Sequence, residues 1–147
     1  MRLENFVAED YFKLNLEEEA GLEMWMPEES IPRALLELEH RGVSRSLWFG
    51  DKLYAIFGLY KIRMGVAEVF FFGTKGWCEK KKSICQAVKQ DLDVVTKMFN
   101  RIQMTCLEGA TFLRFAKFFG FEKEGSLKHY DKFGRTYSML SITGGVL

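Results

Sequence analysis

Metal-binding side chains are scarce in this chain. Two histidines, His40 and His129, and three cysteines, Cys78, Cys85 and Cys106, are spread over 147 residues. Their spacing builds no zinc knuckle, so no metal site is expected. An odd number of cysteines without such spacing points to reduced thiols in a cytosolic-type compartment. No apolar run approaches the ~20 residues that span a bilayer. The stretch Met1-Arg2-Leu3-Glu4-Asn5 has no apolar core of signal-peptide length. A soluble protein that is not secreted is therefore expected. An excess of one charge is missing too. The net charge is +1, without the basic surplus of a dedicated nucleic-acid binder. No repeat, linker or low-complexity segment divides the chain, so a single domain over residues 1–147 is expected.

What the chain does have is aromatic bulk, 15% of residues with 14 Phe, enough for one dense core. The stretch from Ala67 to Gln86 organises the rest. It reads as a buried strand, a loop with Gly73, Gly76 and several lysines, and the start of a long helix. A strand feeding a helix through such a loop gathers backbone N–H groups and positive charge at one place. Phosphate-bearing ligands dock on that arrangement.

The other elements follow from periodicity and punctuation. Glu9 to Ala20 is a helical candidate, with Asp10 near its start and Gly21 as the residue that ends it. Leu22 to Pro27 is a loop carrying Met24, Trp25 and Met26, which either packs as core or presents a partner-binding patch. Ser30 suits the N-cap of a second helix with Pro32 in its first turn. Its apolar face is Ile31, Ala34, Leu35 and Leu38, and Arg41-Gly42 closes it. Val43 to Phe49, Leu53 to Ile62 and Val66 to Phe72 are spaced as an antiparallel meander. The third run is apolar except at Glu68, as expected of a central, covered strand.

Ser83 to Phe99 is the strongest helical pattern. Ser83 and Gln86 form a capping box, and Ile84, Val88, Leu92, Val95, Met98 and Phe99 trace its apolar stripe. Arg101 to Leu107 alternates as a strand. Ala110 to Phe119 is a short helix ended by Gly120. Leu127 to Asp131 then pairs with Thr136 to Thr143 through a turn at Phe133-Gly134-Arg135. The sum is a mixed α/β arrangement with helices on both faces of one sheet.

That element order resembles the GNAT superfamily of N-acetyltransferases. So does the string Arg114-Phe115-Ala116-Lys117-Phe118-Phe119-Gly120-Phe121-Glu122-Lys123-Glu124-Gly125. The superfamily commonly carries a hydrophobic-Tyr-x-x-hydrophobic-Gly-Phe-x-x-x-Gly ending on the helix before its last hairpin. The resemblance covers roughly residues 40–143 and implies a central, mostly antiparallel mixed sheet of six or seven strands. It implies acetyl-CoA as cofactor if the protein is catalytic, with an amine as acceptor. The loop residues Thr74, Lys75, Gly76, Lys80, Lys81 and Lys82 would then hold the pyrophosphate, and Glu68 would be the base. A narrower resemblance is to the small internal virion proteins of T7-like podophages. It rests on the segment Leu16 to Glu23, the loop Phe72 to Lys82 and the run Arg114 to Gly120. It implies virion or assembly components as protein partners, and the host cytoplasm or the virion as location.

Two departures from the superfamily pattern stand out. Its enzymes follow the central strand with Arg/Gln-x-x-Gly-x-Gly/Ala, whose glycines let backbone approach the pyrophosphate. Here the double-glycine turn is missing and Glu79 adds a negative charge. The superfamily's general-acid Tyr falls on Ala116, which cannot donate a proton. Tyr130, placed on the terminal hairpin, is the candidate substitute. Together these point to a degenerate acetyl-CoA loop and an interaction role, with an acetyl-CoA-dependent N-acyltransferase as the alternative.

Each site residue also has a plainer reading. The three lysines can be solvated side chains just outside the helix. Glu68 can be paired to a cation on the next strand, and Tyr130 can be ordinary packing. Cys106 reads as a packed thiol, because no His or Asp pattern accompanies it.

Overall fold

The computed structural model describes residues 1–18 and 20–144. Seven strands form one sheet: β1 (Arg2–Asn5), β2 (Val43–Phe49), β3 (Lys52–Arg63), β4 (Val66–Gly73), β5 (Arg101–Leu107), β6 (Glu122–Leu127) and β7 (Tyr137–Thr143). Their order across the sheet is β1-β2-β3-β4-β5-β7-β6. The β1–β2, β2–β3, β5–β7 and β6–β7 pairs are antiparallel. β5 runs parallel to β4, with Glu68 opposite Gln103. Three α-helices accompany the sheet: α1 (Ile31–Arg41), α2 (Lys81–Val95) and α3 (Thr111–Phe118). The expected fold class, a mixed and mostly antiparallel sheet with helices, is the one observed.

The chain folds as two compact units. The first comprises Met1–Tyr60 and Phe70–Val88; the second comprises Lys61–Val69 and the described residues from Lys89 on. In the first unit, α1 covers β2 with its predicted stripe. Ile31 and Leu35 are buried, joining Phe6, Tyr11, Leu22 and Ile56 in the core. Burying such side chains contributes roughly 1.5–3 kcal/mol each. Ser30 does not cap α1. It lies in helical conformation (φ −88°, ψ −15°), because a 3-10 turn at Glu28–Ser30 runs straight into the helix.

The helix expected from Glu9 to Ala20 is a 3-10 turn over Ala8–Lys13, and residue 19 lies outside the described residues. Tertiary bonds stop it there. Asp10 is buried and accepts from Ser46 Oγ at 2.8 Å and from the Val7 amide at 3.3 Å. Gly21 precedes a second 3-10 turn, Leu22–Met24. Of the apolar loop, Met24 is core, Met26 is half-buried and Trp25 remains 43% exposed.

α2 begins at Lys81, not Ser83, because a 3-10 turn over Trp77–Lys80 leads directly into it. Ser83 is therefore not its cap. The helix ends at Val95, and Met98 is 66% exposed, so the apolar stripe is shorter than the sequence predicts.

In the second unit, Ile102, Met104 and Cys106 face inward from β5, as their alternation predicts. α3 packs against β5 and buries Ala116 completely. Gly120 ends α3 at φ +98°, a conformation that favours glycine. The terminal hairpin differs from expectation. Its first strand is Glu122–Leu127, so residues 128–136 form a connecting loop. Edge strands are commonly charged, and Glu122-Lys123-Glu124 conceals this one from an alternation test. No helix is long and apolar enough to cross a membrane, among the described residues.

Candidate functional site

The loop between β4 and α2 is the place where the sequence asks for a phosphate. Thr74 anchors it and is 2% exposed. Its amide donates to the Tyr54 carbonyl at 3.0 Å. Its hydroxyl accepts from the Asn15 amide at 3.0 Å and donates to the Asn15 carbonyl at 3.2 Å. Three of the following amides also have carbonyl partners. Lys75 donates to the Asn15 carbonyl at 2.7 Å, Trp77 to Thr74 at 3.0 Å and Glu79 to Gly76 at 3.0 Å. Gly76 supports the turn at φ +80°.

Gly73 is covered by a side chain. A Cβ built there would stand 2.7 Å from Trp77 Cγ and 2.9 Å from Phe71 Cε1. The Trp77 and Phe71 rings meet edge to face with centroids 5.0 Å apart. Lys80 Nζ sits 5.0 Å over the Phe49 ring, while Lys75, Lys81 and Lys82 are exposed.

Acetyl-CoA is the cofactor that the resemblance implies, and this loop does not fit its diphosphate. A diphosphate needs several converging, unclaimed amides and a glycine it can approach. Here the amides of Thr74, Lys75, Trp77 and Glu79 have carbonyl partners, and an indole lies on Gly73.

Glu68 belongs to the second unit and is half-buried on β4. Gln103 Nε2, its register partner on β5, donates to it at 3.0 Å. Gln103 Oε1 accepts from Arg101 Nε at 2.7 Å. The Arg101 guanidinium donates through both terminal nitrogens to the two oxygens of Glu124, which also accepts from Ser141 Oγ at 2.9 Å. A polar line thus runs from β4 across β5 and β7 to β6. The Arg101 and Ser141 hydrogen bonds hold the Glu124 carboxyl at about 2.

Tyr130 lies in the 128–136 loop, not on a hairpin strand. Its phenol is pushed above the ordinary value by burial and then by the charge of Glu68. The two candidate proton carriers are therefore within electrostatic reach of each other. The loop is fixed by Asp131. Its carboxylate takes the Phe133 and Arg135 amides at 2.9 and 3.1 Å, Arg135 Nε at 2.6 Å and the Tyr137 hydroxyl at 3.0 Å.

Ala116 is completely buried and brings no hydroxyl to that position. Cys106 is buried, and burial pushes its thiol up to about 11. Glu108 accepts from Ser126, Lys123 and Ser138 and is held below the usual carboxylate range by them. Among the described residues, no group of three or more His, Cys, Asp or Glu could hold a metal ion. Sequence reasoning passed over Gln103, Asn15 and Asp131. Gln103 has the signature of a solvent-facing residue on an alternating strand, while Asn15 falls inside the helix expected from Glu9 to Ala20 and Asp131 at the end of the strand expected from Leu127 to Asp131.

No family model matches the sequence, and no curated protein matches it. Solved structures do. A GNAT-family acetyltransferase from Streptococcus pneumoniae superposes with a TM-score of 0.71 at 13% identity, over 97% of this chain and 98% of that one. A ribosomal-protein alanine N-acetyltransferase from Escherichia coli gives a TM-score of 0.70 at 13% identity, over 97% and 92%. A Bacillus subtilis acetyltransferase, solved with CoA, gives 0.61 at 21% identity, over 97% and 98%. These likenesses show the fold: the chain has the GNAT acetyltransferase fold.

Proposed function

We propose that this chain uses the GNAT fold to make protein contacts rather than to transfer an acyl group. The supporting observation is the loop after β4, where the amides of Thr74, Lys75, Trp77 and Glu79 donate to carbonyls of Tyr54, Asn15, Thr74 and Gly76. The buried Ala116, where a hydroxyl donor would be needed, supports the same reading. On this proposal the partners are assembly components. A phage particle is the setting to which the segments Leu16 to Glu23 and Arg114 to Gly120 point by resemblance.

Calorimetric titration with CoA and acetyl-CoA tests the proposal directly. We expect no heat and no thermal shift at coenzyme concentrations of about 1 mM, at which a 1 mM Kd would half-saturate the site. A saturable heat at micromolar coenzyme would reverse the reading. For the assembly setting, the measurement is mass spectrometry of purified particles. Absence of the chain from them would remove that part of the proposal.

One observation favours a second reading, an N-acyltransferase acting on an amine. The charge of Glu68, after burial, raises the Tyr130 phenol, so a carboxylate and a phenol stand close enough to serve as a pair of proton-handling groups. Glu68→Gln and Tyr130→Phe would then each abolish most turnover while leaving coenzyme affinity intact. No turnover with any amine tested would leave the first reading standing.

A further inference from the structure

The first unit carries two poles of opposite charge. From Leu14 to Pro32 the chain has Glu17, Glu18, Glu19, Glu23, Glu28 and Glu29 and no Lys or Arg. Glu17, Glu18, Glu28 and Glu29 are exposed, and among the described residues none of the four is in an ion pair. Trp25 stands in the middle of this tract, 43% exposed.

The opposite pole is Lys52, Lys75, Lys80, Lys81 and Lys82, all exposed. Two of them are held in place by rings. Lys52 Nζ lies 4.7 Å over Tyr54 and Lys80 Nζ lies 5.0 Å over Phe49. Those rings meet edge to face at 5.1 Å. An ammonium fixed on a ring loses less freedom when an anion arrives. Asp51 and Glu79 are the acids within this face, and they are outnumbered.

The roots of the two poles are tied together by the bonds joining Asn15 to Thr74 and Lys75. The acidic tract is itself pinned by the Leu22 amide donating to the Tyr11 hydroxyl at 2.8 Å and by its two 3-10 turns. Among the described residues, Glu17, Glu18, Glu28 and Glu29 form no ion pair with those lysines. Neighbouring patches of opposite sign are self-complementary under a two-fold axis, because each copy offers its acids to the other's bases. A net charge of +1 opposes such an encounter very little.

We infer that a second copy of this chain covers both poles, in a two-fold dimer sensitive to salt. The inference stands whether or not the protein binds coenzyme.

Sedimentation velocity on the full chain tests it. The dimer should form at low salt and weaken by about tenfold or more when the ionic strength is raised to roughly 0.5 M. Two variants carry the test further. One is Glu17→Lys with Glu18→Lys, Glu28→Lys and Glu29→Lys; the other is Lys75→Glu with Lys81→Glu and Lys82→Glu. Each alone should be monomeric with an unchanged circular dichroism spectrum, and an equimolar mixture should associate again. A wild-type chain that stays monomeric at low salt overturns the inference, as does a dimer that survives either reversal. Capture of wild-type monomer by heparin, without dimer, would put a polyanion in place of the second copy and overturn it equally.

Discussion

Trp77 lies against Gly73 closely enough that no side chain fits between them. A glycine in this loop is expected where backbone must meet a phosphate. Here its missing side chain makes room for an indole of the same loop. The loop therefore closes on itself, held by packing and by its own hydrogen bonds.

Gly73→Ala should then destabilise the protein through overpacking, by about 1–3 kcal/mol. Trp77→Ala alone removes an aromatic contact and also destabilises. The double variant should be more stable than the sum of the two single losses, because the alanine then meets no indole. Urea unfolding of the four proteins gives the coupling directly. Strict additivity would mean that the indole does not rest on Gly73.

Thr74 joins this loop to the segment around Asn15. Thr74 is buried, and its hydroxyl makes both bonds to the exposed Asn15. Thr74→Val keeps the shape and strands the Asn15 amide, at a cost of about 1–3 kcal/mol. Thr74→Ser should recover most of the loss. A valine variant as stable as the wild type would show that solvent replaces the hydroxyl.

Some of this was legible in the sequence. The meander and β5 were, because β-branched and aromatic runs alternate between glycine turns, and that pattern is local. β1 was not. It is four residues long and only Leu3 is even half-buried, so its existence depends on β2. The first helix failed because Asp10 and Asn15 are used by distant residues, Ser46 and Thr74. β6 failed because its acids look like a loop until Arg101 is seen to hold Glu124. At the loop after β4, composition announced an anion site. Where the amides donate is a tertiary fact, and no spacing encodes it.

The three thiols should react in an order set by exposure and charge. Cys78 is exposed and should label first. Cys85 is raised by burial and then by Cys78, with Lys81 working in the opposite direction, so it should follow. Cys106 is buried and stands at about 11. On the order of one Cys106 in a thousand is a thiolate at about pH 8. Iodoacetamide labelling followed by peptide mass spectrometry should find Cys106 modified only as fast as the chain unfolds. Rapid labelling of Cys106 in the native protein would remove the packed-thiol reading.

Acid should expose the second unit's dependence on Asp131 and Glu124. Burial works against the Asp131 charge, but the Arg135 and Phe133 amides, the Arg135 guanidinium and the Tyr137 hydroxyl more than offset it. Its carboxyl falls from 3.8 to about 2. Glu124 falls from 4.5 to about 2 through Arg101 and Ser141. A carboxylate whose folded value is depressed adds stability above its unfolded value. That contribution is lost as pH drops through the folded one. Stability should therefore decline most steeply between about pH 4.5 and about pH 2, where the unfolded chain takes up protons that the folded chain refuses. Asp131→Asn and Glu124→Gln should each be less stable at neutral pH and show a shallower acid slope than the wild type. Asp131→Asn should also loosen residues 128–136, seen as faster amide exchange at Phe133 and Arg135, whose N–H groups the carboxylate holds. Urea midpoints across that pH range supply the measurement. Parallel slopes in all three proteins would mean that neither carboxylate is held as its hydrogen bonds require.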